Sequence, residues 1–154
     1  EDIKVFADKI RCVKEKTLAD DFMIFARIES FIAGESIDVA IERAEKYIES
    51  GADAIVIHSI SQEADDIFAF AEIYKKRFPD IPLVFIPTAY NSFTDTELYK
   101  KGADIIIYAN QLMRSAYRAM QETALSILKE GRSFYADKQY CATASTTLNL
   151  VDGE

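Results

Sequence analysis

Along this chain two hydrophobic patterns take turns as far as residue 130: apolar residues first recur at helical spacing, then bunch into short unbroken runs. Ile3, Phe6, Ile10 and Val13 predict an amphipathic helix from Asp2 to about Lys16, stopped by the "TLADD" turn. Phe22 to Ile28 reads as a strand. Ser36 can cap a second helix running to Ser50, with Ile37, Ala40, Ile41, Ala44 and Ile48 as its buried stripe. Gly51 ends that helix, and "ADAIVIHS" follows as a β-branched strand buried on both faces. A third helix is expected over Gln62–Phe78, with Ile67, Phe70, Ala71 and Tyr74 inward. Pro79 and Pro82 then bracket the turn into "LVFIPT". Thr94 and Glu97 form a capping box for a short helix to Lys101. Leu112, Ala116, Ala119, Thr123 and Ile127 mark a long closing helix.

Within this alternation one segment repeats. "GADIIIYAN" at residues 102–110 copies "GADAIVIHS" at residues 51–59, with the same helix-stopping glycine, turn aspartate and apolar run. The element order α-β-α-β-α-β-α-β-α predicts an α/β fold of four parallel strands joined by right-handed crossover helices. Such a unit is either a small doubly wound sheet or the second half of an eight-stranded (β/α) TIM barrel, and periodicity does not choose between them. Residues 1–154 are expected to form a single domain, with 131–154 as a loosely structured tail.

Composition narrows the functional classes. A chain of 154 residues with 49% hydrophobic content is long enough to bury a sizeable core. A net charge of −8, without any basic cluster interleaved with aromatics, argues against nucleic acid as a partner. No apolar run is long enough to span a bilayer, so no membrane association is expected. Cys12 and Cys141 have neither metal-type spacing nor a disulfide framework, which makes a reducing cytoplasm the expected compartment. The chain opens at Glu1 rather than Met and enters helical pattern at once, so it is expected to be part of something longer.

In either architecture ligands gather where the strands end. The residues there are Arg27 and Glu29, His58 and Ser59, Thr88, and Asn110. Arg27 and Glu29 are two apart and share a face, so the carboxylate can orient the guanidinium, whose planar fork suits carboxylate or phosphoryl oxygens. An ordinary ion pair is the competing reading. His58, the single histidine, can serve as donor or as cation, or be structural. Ser59 is a further hydroxyl donor or a turn residue, Thr88 reads as a turn residue, and Asn110 reads as a helix N-cap. The acidic runs "QEADD" and "IERAEKYIES" read as solvated helix faces.

Together "FMIFARIESFIAG", "AIERAEKYIESGADAIVIHS", "PLVFIPTAY" and "GADIIIYANQLMRSAYRAM" closely resemble the second half of the phosphoenolpyruvate mutase family, in the isocitrate lyase superfamily. The resemblance runs from the first helix to at least Glu130. It implies a TIM-barrel isomerase that interconverts phosphoenolpyruvate and phosphonopyruvate, uses Mg²⁺, and forms dimers or higher oligomers with helix exchange between neighbours. Carried onto this chain, it implies that Arg27 binds the small anionic substrate, that His58 contacts the migrating phosphoryl group as a catalytic residue, that Ser59 adds a substrate contact, and that Glu29 orients Arg27. A histidine at position 58 favours phosphorus–carbon chemistry, with phosphonopyruvate hydrolase or a carbon–carbon lyase of the superfamily as the alternative. The family's Mg²⁺-holding and nucleophilic aspartates and its Lys/Asn gating loop belong to the barrel's first half. No metal ligand is therefore assigned here, and this chain by itself is expected to be inactive. A homodimer that covers the open strand edges is also expected. The rival class is a non-catalytic α/β interaction module, such as a receiver-like domain. Receivers carry acidic strand ends, unlike the Arg, His/Ser, Thr and Asn found here.

Overall fold

The computed structural model describes residues 1–16 and 21–150; the helix stop expected at residues 17–20 lies outside them. Two compact units partition the chain, residues Glu1–Ala109 and Asn110–Glu154.

The first unit contains α1 (Ile3–Lys16), β1 (Phe25–Ile28), α2 (Ile37–Glu49), β2 (Ala54–Ile57), α3 (Asp65–Arg77), β3 (Leu83–Phe85), α4 (Asp95–Lys100) and β4 (Ile105–Ile106). Its four strands lie in the order β1-β2-β3-β4, every pair parallel. Sequential order with parallel pairing places each connecting helix on one side of the sheet. Against that side packs the main core, which includes Ala26, Ile28, Ile55, Ile57, Leu83 and Phe85 from the strands and Ile41, Ile67, Phe70 and Tyr74 from the helices. The other side carries a smaller apolar cluster of Ala54, Val56 and Val84, with Ile86 and Ile105 against it. β2 is buried on both faces, whereas β1 buries Ala26 and Ile28 and leaves Phe25 and Arg27 open.

The sequence repeat proves to be a structural staple used twice. Asp53 accepts the backbone N–H of Ile24 at 2.7 Å and ion-pairs with Lys14 of α1 at 2.7 Å. Asp104 accepts the N–H of Leu83 at 2.6 Å and pairs with Lys75 of α3. In both copies the aspartate at the head of one strand ties down the start of the neighbouring strand together with the helix that leads into that neighbour. Each preceding glycine has the positive φ that a side chain resists: φ is 102° at Gly51 and 106° at Gly102, where a methyl would also meet Ala71 Cβ at 3.3 Å.

α2 is capped by Ser36, whose hydroxyl accepts from Val39 N–H, and α4 by the Thr94–Glu97 capping box. α3 starts at Asp65, three residues later than the hydrophobic pattern predicts. Ala64, fully buried, takes a left-handed conformation with φ 55° and breaks the helix there. Asp65 and Asp66 then supply negative charge to the first turn.

The second unit holds α5 (Gln111–Glu130), α6 (Phe134–Tyr140) and α7 (Ala144–Asn149). Two short helices thus occupy much of the stretch whose pattern predicts a loosely structured tail. Asn110 stands at the N-cap position of α5, but its side chain makes no capping bond there, contrary to the sequence-based reading. α5 buries none of its residues: Leu112 is 88% exposed and Leu128 80%.

Candidate functional site

Parallel pairing sets Arg27 beside Val56, so the next residues on the same face, Glu29 and His58, also come level just past the strand ends. Their side chains form one cluster. Arg27 Nη2 lies 2.8 Å from His58 Nδ1, the same nitrogen lies 2.9 Å from Glu29 Oε2, and Glu29 Oε1 ion-pairs with Arg27 Nε. The His58 side chain is 22% exposed and those of Arg27 and Glu29 47% each, so solvent reaches the group from one side. Partial burial pushes the Glu29 carboxyl up, but the His58 hydrogen bond and the charges of His58 and Arg27 outweigh it and hold the group below its ordinary value.

The contacts at His58 Nδ1 are in conflict. A guanidinium only donates and a carboxylate only accepts. With a proton on Nδ1, the ring donates to Glu29 and turns an N–H toward the Arg27 N–H. Without it, the ring accepts from Arg27 and Glu29 Oε2 loses that partner. No single protonation state satisfies both contacts.

Behind the cluster a second network fixes the loop that follows β1. Arg43 grips Glu35 with both prongs of its fork, at 2.9 and 2.7 Å, and also donates to Tyr47 Oη at 3.2 Å. The buried Ser30 hydroxyl donates to Glu35 Oε2 at 2.6 Å. Backbone bonds from Ala33 N–H to the Glu29 carbonyl and from Glu35 N–H to that of Ser30 close the turn. A cavity of about 230 Å³ lies between the two networks, lined by Arg27 and Glu29 on one side and Ser30, Glu35, Arg43 and Tyr47 on the other. Read along the chain, "IERAEKYIES" looks like a solvated face, which conceals Arg43 and Tyr47. The available signal was spacing: Arg43 lies three residues after Ala40 and four before Tyr47, on the edge of the buried stripe of α2.

Ser59 is turned to other partners. Its buried hydroxyl donates to Asp66 Oδ2 at 2.5 Å and accepts from Ser61 N–H at 3.1 Å, so its single proton is committed to the first turn of α3. Asp66 is therefore a loop anchor rather than part of a solvated face. Thr88 belongs to a tight turn, its N–H donating to the Ile86 carbonyl at 2.7 Å. The residues present do not fit a magnesium site. Mg²⁺ demands near-octahedral oxygen ligation, and the strand-end carboxylate, Glu29, has its oxygens committed to Arg27 and His58. Among the described residues, no group of three His, Cys, Asp or Glu is placed to hold a metal ion.

Comparison with known proteins supplies the context for this geometry. The phosphoenolpyruvate phosphomutase family profile matches residues 1–128. A phosphoenolpyruvate phosphomutase of Tetrahymena pyriformis is 38% identical over 128 residues, covering 83% of this chain and 42% of that protein. The crystal structure of a phosphoenolpyruvate phosphomutase from Streptomyces platensis subsp. rosaceus superimposes with a TM-score of 0.90 at 32% identity, covering 98% of this chain and 51% of the other. A phosphonopyruvate hydrolase in complex with oxalate and Mg²⁺ superimposes with a TM-score of 0.88, also at 32% identity, covering 99% of this chain and 53% of that one. The chain spans about half the length of these relatives, and its parallel strands and helices match half of a phosphoenolpyruvate mutase barrel.

Proposed function

This chain belongs to the phosphoenolpyruvate phosphomutase family, and from that premise we propose that it supplies the phosphoryl- and carboxylate-binding wall of an enzyme that interconverts phosphonopyruvate and phosphoenolpyruvate. The observation that carries the reading is the Arg27–Glu29–His58 cluster on one face of two adjacent strand ends. Preorganised donors aimed at developing charge are the largest catalytic contribution available to phosphoryl transfer. Arg27 offers its fork to the substrate's anionic oxygens and His58 donates to the moving phosphoryl group. Glu29 holds Arg27 in position, and Ser59 acts through the loop that carries His58.

In the proposed reaction the phosphorus–carbon bond breaks and its electron pair stays on carbon as an enolate. The phosphoryl group passes to an enzyme carboxylate and returns to the enolate oxygen. That carboxylate and the Mg²⁺ site are assigned to the other half of the barrel, outside these 154 residues. The chain by itself is accordingly inactive, and it covers its open strand edges by pairing, as a homodimer or higher oligomer. A phosphonopyruvate hydrolase is the second reading, favoured by the equal 32% identity to a solved hydrolase. In that case water takes the phosphoryl group.

The test is phosphonopyruvate turnover followed by ³¹P NMR with Mg²⁺, on this chain and on a chain extended to the relatives' length. Phosphoenolpyruvate as product of the extended chain supports the mutase, and inorganic phosphate supports the hydrolase. In the extended enzyme, Arg27→Lys keeps the charge but loses the fork and should lower kcat/KM by roughly tenfold or more. Unchanged kinetics in that variant would remove Arg27 from the mechanism.

A further inference from the structure

We infer that Glu29 is a resident competitor for the anion site: its carboxylate engages Arg27 and His58, and ligand binding requires its displacement. The inference rests on the anion-binding reading of the cluster and adds to it a rule about which anions enter.

The geometry supplies the argument. One carboxylate engages both partners at once, Oε1 on Arg27 Nε and Oε2 on His58 Nδ1. Arg27 Nη2 meanwhile points at the same His58 nitrogen, a contact incompatible with the bond that nitrogen donates to Glu29. The cluster therefore holds one contact more than its protons can satisfy. An incoming oxygen that accepts from Arg27 Nη2 draws the guanidinium off the ring and resolves that conflict. Among the described residues no further hydrogen bond or ion pair holds the Glu29 side chain, which is 47% exposed and free to swing into water once released.

Charge counting then sets the rule. An acid with one negative charge replaces the single charge of Glu29 on the same partners and gains nothing. A small acid with two adjacent anionic groups brings one charge more than it displaces. Glu29 thereby excludes monocarboxylates and admits doubly charged acids, acting as a positioning and selectivity residue.

The sole histidine makes this readable, because His58 gives the only imidazole ring signals in an untagged chain. Oxalate and acetate are titrated, with EDTA present, into the wild type and into Glu29→Gln, Arg27→Met and Glu63→Gln, following the ¹⁵N and ¹H resonances of the ring. Glu63 is an exposed carboxylate on the loop after His58 and controls for a general loss of negative charge. In the wild type oxalate shifts the ring and acetate does not. In Glu29→Gln oxalate binds roughly fivefold to tenfold tighter and acetate becomes visible, while Glu63→Gln changes affinity less than about twofold.

Equal oxalate affinity in the wild type and Glu29→Gln, with binding lost in Arg27→Met, overturns the competitor role and leaves the anion cradle standing. Tightening of the same size in Glu63→Gln assigns the effect to the general field and also overturns it. If oxalate shifts His58 in neither the wild type nor Glu29→Gln, both the cradle and the competitor fall.

Discussion

Breaking the Glu35–Arg43 pair should lower stability in a way that acid titration can recognise. Arg43 first, and then Ser30, holds the Glu35 carboxyl down from 4.5 to about 2. A drop of that size corresponds to a ceiling of about 3 kcal/mol. The Glu35 side chain is 28% exposed and that of Arg43 15%, so solvent screening brings the expected contribution to about 1.5 kcal/mol. The sign follows from the depressed value. The contribution is complete above the unfolded carboxyl's ordinary range and drains away as the pH falls from about 4.5 toward 2. Arg43→Met should cost more than the pair is worth, about 2 to 3 kcal/mol, because it leaves a partly buried carboxylate with Ser30 as its remaining side-chain donor. Urea unfolding followed by far-UV circular dichroism at pH 7 and pH 3, on the wild type, Arg43→Met, Glu35→Gln and the double variant, measures the coupling. The coupling should be at least about 1 kcal/mol at pH 7 and shrink at pH 3. A coupling of the same size at both pH values would refute the electrostatic account.

Two further perturbations test how the strands are set. Asp104→Asn keeps the shape of the staple but gives up the charge that holds Lys75 and strengthens the bond from Leu83 N–H. It should lower the unfolding free energy by about 1 to 2 kcal/mol, and a loss below about 0.3 kcal/mol would demote the staple to a surface contact. At Ala64, with φ 55° and no exposure, Val should cost more than about 2 kcal/mol through left-handed strain and overpacking, while Gly should stay within about 0.5 kcal/mol, relief of strain offsetting the lost methyl and the added chain entropy. Denaturation midpoints decide between them, and a tolerated Val would show that the left-handed turn is not held in solution.

Much of the first unit was legible from spacing alone. Ile67, Phe70, Ala71 and Tyr74 are buried on α3 as their helical period predicts, and the Thr94–Glu97 box and the Ser36 cap form as expected. The repeated Gly-Ala-Asp was visible as a pattern, yet its purpose was not. The bond each aspartate makes reaches back to the start of another strand, 29 residues away for Asp53 and 21 for Asp104. Arg43 was hidden for a related reason: its partner Glu35, itself held by Ser30, lies on the loop before the helix, so the Arg43 charge looked solvated when read along α2 alone.

As far as Glu130 the sequence by itself determined the order of helices and strands, which faces are apolar, and which residue types stand at the strand ends, since each depends on neighbours within a turn or two of the same element. Tertiary structure alone decided that Arg27, Glu29 and His58 converge, that one nitrogen of His58 is contested by two partners, and that Ser59 is drawn away to Asp66. Those outcomes depend on the register between β1 and β2 and on where the loops fold back. Both are set by packing between segments distant in the chain, and local periodicity carries no information about them.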